Sequence, residues 1–108
     1  MGSNKGAVLS EIATRILSVF PKTERIILFG SRAAGNPDEE SDYDLLVVAE
    51  TRLNPVARGA RARLALLDIP ASFDILVVTP REMKRLSKFE SGVVARAARQ
   101  GEELYAVA

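Results

Sequence analysis

Cysteine and histidine are both missing from this 108-residue chain, and their absence excludes several kinds of chemistry. Without cysteine there can be no disulfide framework and no zinc site built on thiolates. Without histidine the commonest general base and metal ligand are missing, as is every serine–histidine or cysteine–histidine nucleophile pair. Any catalysis must therefore depend on carboxylates, Lys, Arg, Ser, Thr or Tyr, and a metal ion beside them would be a hard cation.

Long apolar runs and an excess of one charge are missing as well. The longest apolar run, Leu45 to Ala49, is far shorter than the roughly 20 residues of a membrane-spanning helix. Glu11 and Arg15 interrupt the apolar residues near the start, so no signal peptide is predicted. Fifteen basic and 14 acidic residues give a net charge of +1, too balanced for a nucleic-acid-binding surface. We therefore expect one cytoplasmic domain over residues 1–108, without a membrane segment and without a nucleic-acid partner.

Apolar periodicity and turn residues divide the chain into alternating helices and strands. Their order, α-β-α-β-α-β-α, predicts an α/β (α+β) domain with a small mixed β-sheet backed by helices. Only ten residues separate Ser31 from Asp42, too few for a parallel crossover, so the first two strands are predicted to be antiparallel. The predicted helices are 5–20, 32–34, 55–68 and 80–99, the last with a break at Ser91-Gly92; the predicted strands are 25–29, 43–49 and 72–78, and 101–107 is compatible with a short final strand.

Three aspartates stand at the beginnings of predicted strands. Asp42 and Asp44 are two residues apart, so their side chains point to the same face. Asp74 also precedes an apolar run, and it would join them if the second and third strands are neighbours. Three close carboxylates repel one another, and a divalent cation removes that repulsion. Oxygen ligands without His or Cys favour Mg²⁺ or Mn²⁺.

A small-residue turn follows the first predicted strand. Gly30 would let a phosphate approach the backbone closely. The amides of Ser31 and Arg32, at the start of a short helix, favour an anion, and the Arg32 guanidinium suits bidentate pairing with phosphate oxygens. Alone, each motif is more often a plain turn or a solvated strand end. Together and in this order they predict a triphosphate held beside two metal ions, a site suited to in-line displacement.

These residues resemble a known family. Gly30-Ser31-Arg32-Ala33-Ala34-Gly35, followed by Ser41-Asp42-Tyr43-Asp44-Leu45-Leu46-Val47, is similar to the signature of the minimal nucleotidyltransferases of the DNA polymerase beta superfamily. The resemblance implies a nucleotidyltransferase fold and transfer of a nucleoside monophosphate from an NTP, with ATP as the expected donor. It also implies that Asp42 and Asp44 bind both metal ions and that Asp74 binds the catalytic one.

The resemblance further implies a partner protein. Minimal members of the family are often paired with a helical HEPN protein as antitoxin and toxin, and the transferase adds AMP to a tyrosine of the toxin. The chain has no added substrate-binding domain of the kind found in larger family members, which favours a protein acceptor. Two alternatives stay open: a binding module that neutralises its partner by occupancy, and transfer to a small molecule or nucleic-acid end. Homo- and hetero-oligomers are both compatible with the sequence.

The predicted third helix combines an apolar stripe with several arginines. Val56, Ala60, Leu64 and Leu67 form the stripe. The arginines are interpreted as a solvated helix face, with a surface for a partner or for nucleotide phosphate as the alternative; they are Arg52, Arg58, Arg61 and Arg63. Tyr43 faces away from its flanking acids and is predicted to serve in packing.

Overall fold

The structure is a computed structural model that describes residues 4–30 and 43–107. These residues contain four helices and four strands, and the predicted short helix 32–34 lies outside them. The predicted final strand is present, and the last predicted helix is two helices separated by residues 87–92, which include the predicted break at Ser91-Gly92. The elements are α1 (Asn4–Val19), β1 (Thr23–Phe29), β2 (Tyr43–Ala49), α2 (Pro55–Ala65), β3 (Phe73–Val78), α3 (Pro80–Leu86), α4 (Val93–Gln100) and β4 (Glu102–Ala106).

The four strands form one mixed sheet in the order β3-β2-β1-β4. β1 pairs antiparallel with β2 and with β4, and β2 pairs parallel with β3. The predicted mixed sheet and the predicted antiparallel pairing of the first two strands are therefore confirmed. The connection from β2 to β3 runs through α2, as a parallel crossover requires. The start of β2 and the start of β3 consequently lie at the same edge of the sheet, next to the end of β1.

Apolar side chains cover both faces of the sheet. The face toward α1 and α2 carries the larger cluster, and the face toward α3 and α4 carries the smaller one. Along β1, β2 and β3, alternate residues belong to opposite clusters, as the period of a strand requires. The sheet residues of the larger cluster are Ile26, Leu28, Tyr43, Leu45, Val47, Ala49, Ile75 and Val77, and those of the smaller cluster are Ile27, Leu46, Val48 and Val78.

Two helices begin as their sequences predict. Asn54 accepts a hydrogen bond from the Ala57 amide at 2.9 Å, and proline follows it at the first helical position. Thr79 and Glu82 form the predicted capping box: the Glu82 amide donates to Thr79 Oγ1 at 3.2 Å, and the Thr79 amide donates to Glu82 Oε1 at 2.9 Å. Each cap satisfies amides that a helix leaves without partners at its start.

The predicted apolar stripe of α2 faces solvent, whereas such a stripe usually faces the core. Arg58 and Ala62 are the buried residues of α2, whereas Val56 and Leu64 of the predicted stripe are 84% and 69% exposed. The interpretation of Arg58 as a solvated side chain is therefore wrong: it is only 7% exposed.

Buried hydrogen bonds keep Arg58 inside. Its Nε donates to Leu53 O at 2.7 Å, and its Nη1 donates to Glu82 Oε1 at 2.7 Å and to Val77 O at 3.4 Å. This guanidinium joins the start of α2 to β3 and to the capping box of α3. A buried charge is tolerated when it is paired and hydrogen-bonded in this way.

Stability should depend on pH through Glu82. The amide of Thr79 and then the Arg58 guanidinium hold the pKa of this carboxyl below its usual value. Its contribution is therefore present above the unfolded pKa, about 4.3, and is lost as pH falls through the lower folded pKa. We expect Glu82→Gln to lower the free energy of unfolding by about 1 kcal/mol at pH 7, and by much less in strong acid, in urea titrations. The exposed Glu24 supplies the control Glu24→Gln, which should change neither value; equal losses for Glu82→Gln at both pH values would contradict this assignment.

None of the helices in the described ranges is long and apolar enough to cross a membrane.

Candidate functional site

Gly30 directly follows β1 and has a backbone conformation that favours glycine. Its φ is +79°, the left-handed region that other residues rarely adopt. A Cβ atom placed there would lie 2.1 Å from Oδ2 of Asp44. Gly30 is therefore required twice, for the turn itself and for the space that the Asp44 carboxylate occupies beside it.

Asp44 is placed by two strand neighbours at once. It lies opposite Phe29 in the antiparallel pair with β1 and in register with Asp74 in the parallel pair with β3. Asp44 lies on the same face of β2 as Leu46 and Val48, because every second residue of a strand shares a face. Both of these residues belong to the smaller core cluster. The side chain of Asp44 therefore projects from the α3–α4 face of the sheet, at the edge where that cluster ends.

Asp74 projects from the same face. Asp74 shares one face of β3 with Leu76 and Val78, and Val78 belongs to the same smaller cluster. Adjacent strands are about 4.8 Å apart, so the in-register Asp44 and Asp74 are neighbours on that face. Asp44 is half-buried and Asp74 is exposed. Two neighbouring carboxylates reached from solvent are a donor set that suits a hard divalent cation.

An aromatic pair on the opposite face holds the two strand starts together. The rings of Tyr43 and Phe73 stack with centroids 5.4 Å apart, and the Tyr43 amide donates to Ser72 O at 2.9 Å. Tyr43 is buried in the larger core cluster, so its predicted packing role is confirmed. Phe73 was not singled out from the sequence, although its place one residue before Asp74 repeats that of Tyr43 before Asp44.

The structure thus brings together Gly30, Asp44 and Asp74 at one edge of the sheet. Ser31, Arg32 and Asp42, the other predicted site residues, lie outside the described residues. Within the described ranges no group of three His, Cys, Asp or Glu side chains is placed to hold a metal ion. The described part of the candidate site is a pair of aspartates beside a glycine turn, and the roles assigned to all six residues stay predictions.

A match to a sequence profile over most of the chain shows which family the chain belongs to. The sequence profile of the family described as polymerase beta, nucleotidyltransferase matches residues 11–106. The chain belongs to the polymerase beta nucleotidyltransferase family. The match extends from α1 to the end of β4, so the motif resemblance is confirmed over almost the whole chain. Gly30, Asp44 and Asp74 are all inside the part that matches this nucleotidyltransferase family.

One curated relative is similar to this chain over a short stretch. The protein adenylyltransferase MntA of Aphanizomenon flos-aquae (strain 2012/KM1/D3) is 43% identical over 42 residues, which make up 39% of this chain and 28% of that protein. The aligned part is therefore less than a third of the relative's length.

Two solved structures share the fold across most of the chain. A toxin–antitoxin structure with AMP-PNP has a TM-score of 0.69 at 24% identity, covering 92% of this chain and 73% of that one. The tri-AMPylated HEPN toxin of Shewanella oneidensis in complex with its MNT antitoxin gives a TM-score of 0.59 at 23% identity, covering 94% and 73%. At these identities the similarity shows a common fold, and it confirms the predicted nucleotidyltransferase fold.

A substitution at Gly30 should disturb both the turn and Asp44. We expect Gly30→Ala to lower the free energy of unfolding by about 2 kcal/mol, because a positive φ is strained for alanine and the new methyl group collides with the Asp44 carboxylate. Urea unfolding measures the loss. Gly6→Ala is the matched control: Gly6 lies in α1 with no atom near its added Cβ, and this change should stabilise by about 0.5–1 kcal/mol. Equal effects of the two substitutions would contradict the geometry at Gly30.

Proposed function

We propose that this chain transfers AMP from ATP to a hydroxyl group of a partner protein and acts as the antitoxin of a HEPN toxin. The observation that carries the proposal is the in-register pair Asp44 and Asp74 beside Gly30, in a chain of the nucleotidyltransferase family. The relative named protein adenylyltransferase and the structures of toxin–antitoxin pairs support a protein acceptor. A tyrosine of the toxin is the acceptor that we propose.

The residues of the site divide into two groups by their chemistry. The carboxylates of Asp44 and Asp74, with Asp42, are proposed to hold two Mg²⁺ ions, and Mn²⁺ would fit the same oxygen ligands. Bound there, the ions would neutralise charge on the attacking and leaving oxygens. The turn at Gly30, with Ser31 and Arg32, is proposed to bind the triphosphate through backbone amides and the guanidinium.

The transfer that we propose is an in-line displacement at the α-phosphorus of ATP. A bond forms from the acceptor hydroxyl oxygen to that phosphorus, and the bond to the bridging oxygen of the β-phosphate breaks, so pyrophosphate leaves. The hydroxyl loses its proton, and we propose the exposed carboxylate of Asp74 as the group that accepts it. The site opens to solvent at Asp74, which leaves room for a side chain of a second protein.

The test is a transfer assay with intact-mass readout. The protein is incubated with ATP, Mg²⁺ and the product of the adjacent gene, the proposed HEPN-type partner, and the mass of that partner is measured by mass spectrometry. The proposal predicts partner molecules heavier by one or more AMP groups, in reactions that need both ATP and Mg²⁺. A partner that is neutralised without any gain in mass would instead support occupancy alone, and AMP found only on small molecules or nucleic-acid ends would reject the protein acceptor.

A further inference from the structure

Among the residues that the structure describes, α2 presents an apolar surface to solvent. The surface consists of Val56, Ala60 and Leu64 at intervals of four residues, continued by Leu67 in the turn after the helix, and we call it the α2 ridge. Val56, Leu64 and Leu67 are 84%, 69% and 76% exposed. α2 has 11 residues and is therefore about 16 Å long. Three large apolar side chains exposed in one row are unusual on a surface, where such residues are ordinarily scattered.

The ridge borders a concave groove. The end of α1 contributes Val19 to the groove, and α2 contributes Ala57, Ala60, Leu64 and Ala65, with Arg61 at its border; the volume is about 480 Å³. Three of the lining residues are alanines, which leave space for a protruding side chain of a second helix. A flat bilayer surface would leave such a groove unfilled.

Contacts between α1 and the end of α2 hold the helix that carries the ridge in place. Arg15 of α1 donates to Ala65 O at 3.2 Å and pairs with Asp68 just after α2. The guanidinium holds the pKa of the Asp68 carboxyl below its usual range. These contacts anchor the end of α2 on α1, so the ridge is a preformed surface. They also neutralise Asp68, the acid next to Leu67.

The charges around the ridge are predominantly positive. α2 contains no acidic residue, and its exposed arginines, Arg61 and Arg63, lie beside the apolar row. Arg52 and Lys22 continue the positive border past Arg61, where Glu50 is the single acid among the residues lining that part of the surface. A ligand complementary to this surface is apolar along one stripe and acidic along its edges.

We propose that the α2 ridge is the docking surface for an amphipathic helix of a partner protein, with acidic residues bordering its apolar face. The length of the ridge equals about three turns of helix, and apolar residues at intervals of three and four match it. A second copy of the chain is disfavoured, because a two-fold contact through α2 would bring the arginine borders of both copies together. The inference deepens the proposed function by assigning the surface that its protein partner would use.

The test measures binding to a defined probe. A fluorescent synthetic helix with leucine along one face and glutamate elsewhere is titrated with the full chain, and the same helix with lysine in place of glutamate is the charge control. We expect binding of the acidic helix only. Leu64→Glu and the milder pair Leu64→Ala with Leu67→Ala should weaken it about 30-fold, the effect of losing an interface hot spot. Arg61→Glu should weaken it as well.

Matched variants separate the ridge from general effects. Val107→Glu replaces another exposed apolar residue, and Arg81→Glu reverses another exposed charge; neither should change binding. Because the ridge residues are exposed, the melting temperatures of the ridge variants should stay within about 4 °C of the parent. A larger fall would mean that the ridge is covered within the chain and would overturn the proposal, as would absent or unchanged binding of the acidic helix.

Further experiments distinguish a partner helix from other occupants of the α2 ridge, and the docking surface from the proposed enzyme activity. If sedimentation showed a dimer that Leu64→Glu dissociates, the proposal would be overturned in favour of a second copy. If the parent bound anionic vesicles and Leu64→Glu weakened that binding as much as it weakened binding of the acidic helix, the proposal would be overturned in favour of a membrane. With the HEPN-type protein as probe, Leu64→Glu should lose the complex while Asp74→Asn keeps it. Absence of AMP transfer with a ridge-dependent complex would reject the enzyme and keep the docking surface. A complex indifferent to Leu64→Glu would overturn the docking surface alone.

Discussion

Asp74→Asn is expected to lower the rate of AMP transfer about 1000-fold, equivalent to about 4 kcal/mol of transition-state stabilisation. The change keeps the size of the side chain and removes the negative charge beside Asp44. Single-turnover kinetics on the partner protein measure the effect. Asp74 is exposed, and its loss relieves repulsion from the neighbouring carboxylate, so the unliganded variant should be as stable as the parent or more stable.

Two comparisons define what this result means. Glu24→Gln removes an exposed carboxylate from β1 outside the candidate site and should leave the transfer rate unchanged. The parent should be stabilised by Mg²⁺ with ATP, as binding to the folded state requires, and Asp74→Asn should lose most of that stabilisation. If Asp74→Asn transferred AMP within tenfold of the parent rate, Asp74 would have no place in the site.

Arg58→Met is expected to lower the free energy of unfolding by about 3 kcal/mol, the second large effect. Methionine fills much of the same volume, but it leaves the Glu82 carboxylate without the Arg58 cation and removes the hydrogen bonds that Arg58 donates to the carbonyls of Leu53 and Val77. Removing one member of a buried ion pair costs about 3–5 kcal/mol, and the partly exposed Glu82 places this case at the lower end. Urea unfolding measures the loss, which is large against a total stability of about 5–15 kcal/mol.

The neighbouring arginine supplies the control. Arg61 is exposed on the same helix, and Arg61→Met should change stability by at most about 0.5 kcal/mol. In the background of Arg58→Met, Glu82→Gln should cost less than it does in the parent, because the two side chains share one interaction. Additive losses would show that Arg58 stabilises the protein through its carbonyl contacts alone.

The strand pattern was predictable because the relevant signals are local. Apolar runs bounded by proline and polar residues located β1, β2 and β3, and the short connection after Ser31 predicted the antiparallel pairing of the first two. The capping box at Thr79 and Glu82 likewise lies within four consecutive residues. Such features depend on backbone geometry and near neighbours, so the sequence alone could reveal them.

The orientation of α2 could not be predicted in the same way. Its apolar stripe ordinarily indicates the buried face, yet Arg58, Ala62 and Leu66 face inward instead. The partners that keep Arg58 inside are Val77 and Glu82, about 20 residues further along the chain. Tertiary hydrogen bonds thus outweighed the local pattern, and the apolar residues left outside became the α2 ridge.

The residues of the candidate site could be predicted from the sequence, but the register of the strands that carry them could not. Alternation predicted that residues flanking Tyr43 would share a face, but only the parallel pairing shows that Asp44 and Asp74 lie directly opposite each other. The collision of any Cβ at position 30 with Asp44 is also a tertiary fact. Both depend on how the strands pair, which a single sequence leaves open.

The most direct test of the account is a crystal structure of the protein with Mg²⁺ and AMP-PNP. The account predicts metal–oxygen distances of about 2.1 Å to carboxylates of both Asp44 and Asp74, with the triphosphate over the turn at Gly30. Nucleotide bound elsewhere on the molecule, or a metal ion that contacts neither aspartate, would contradict it.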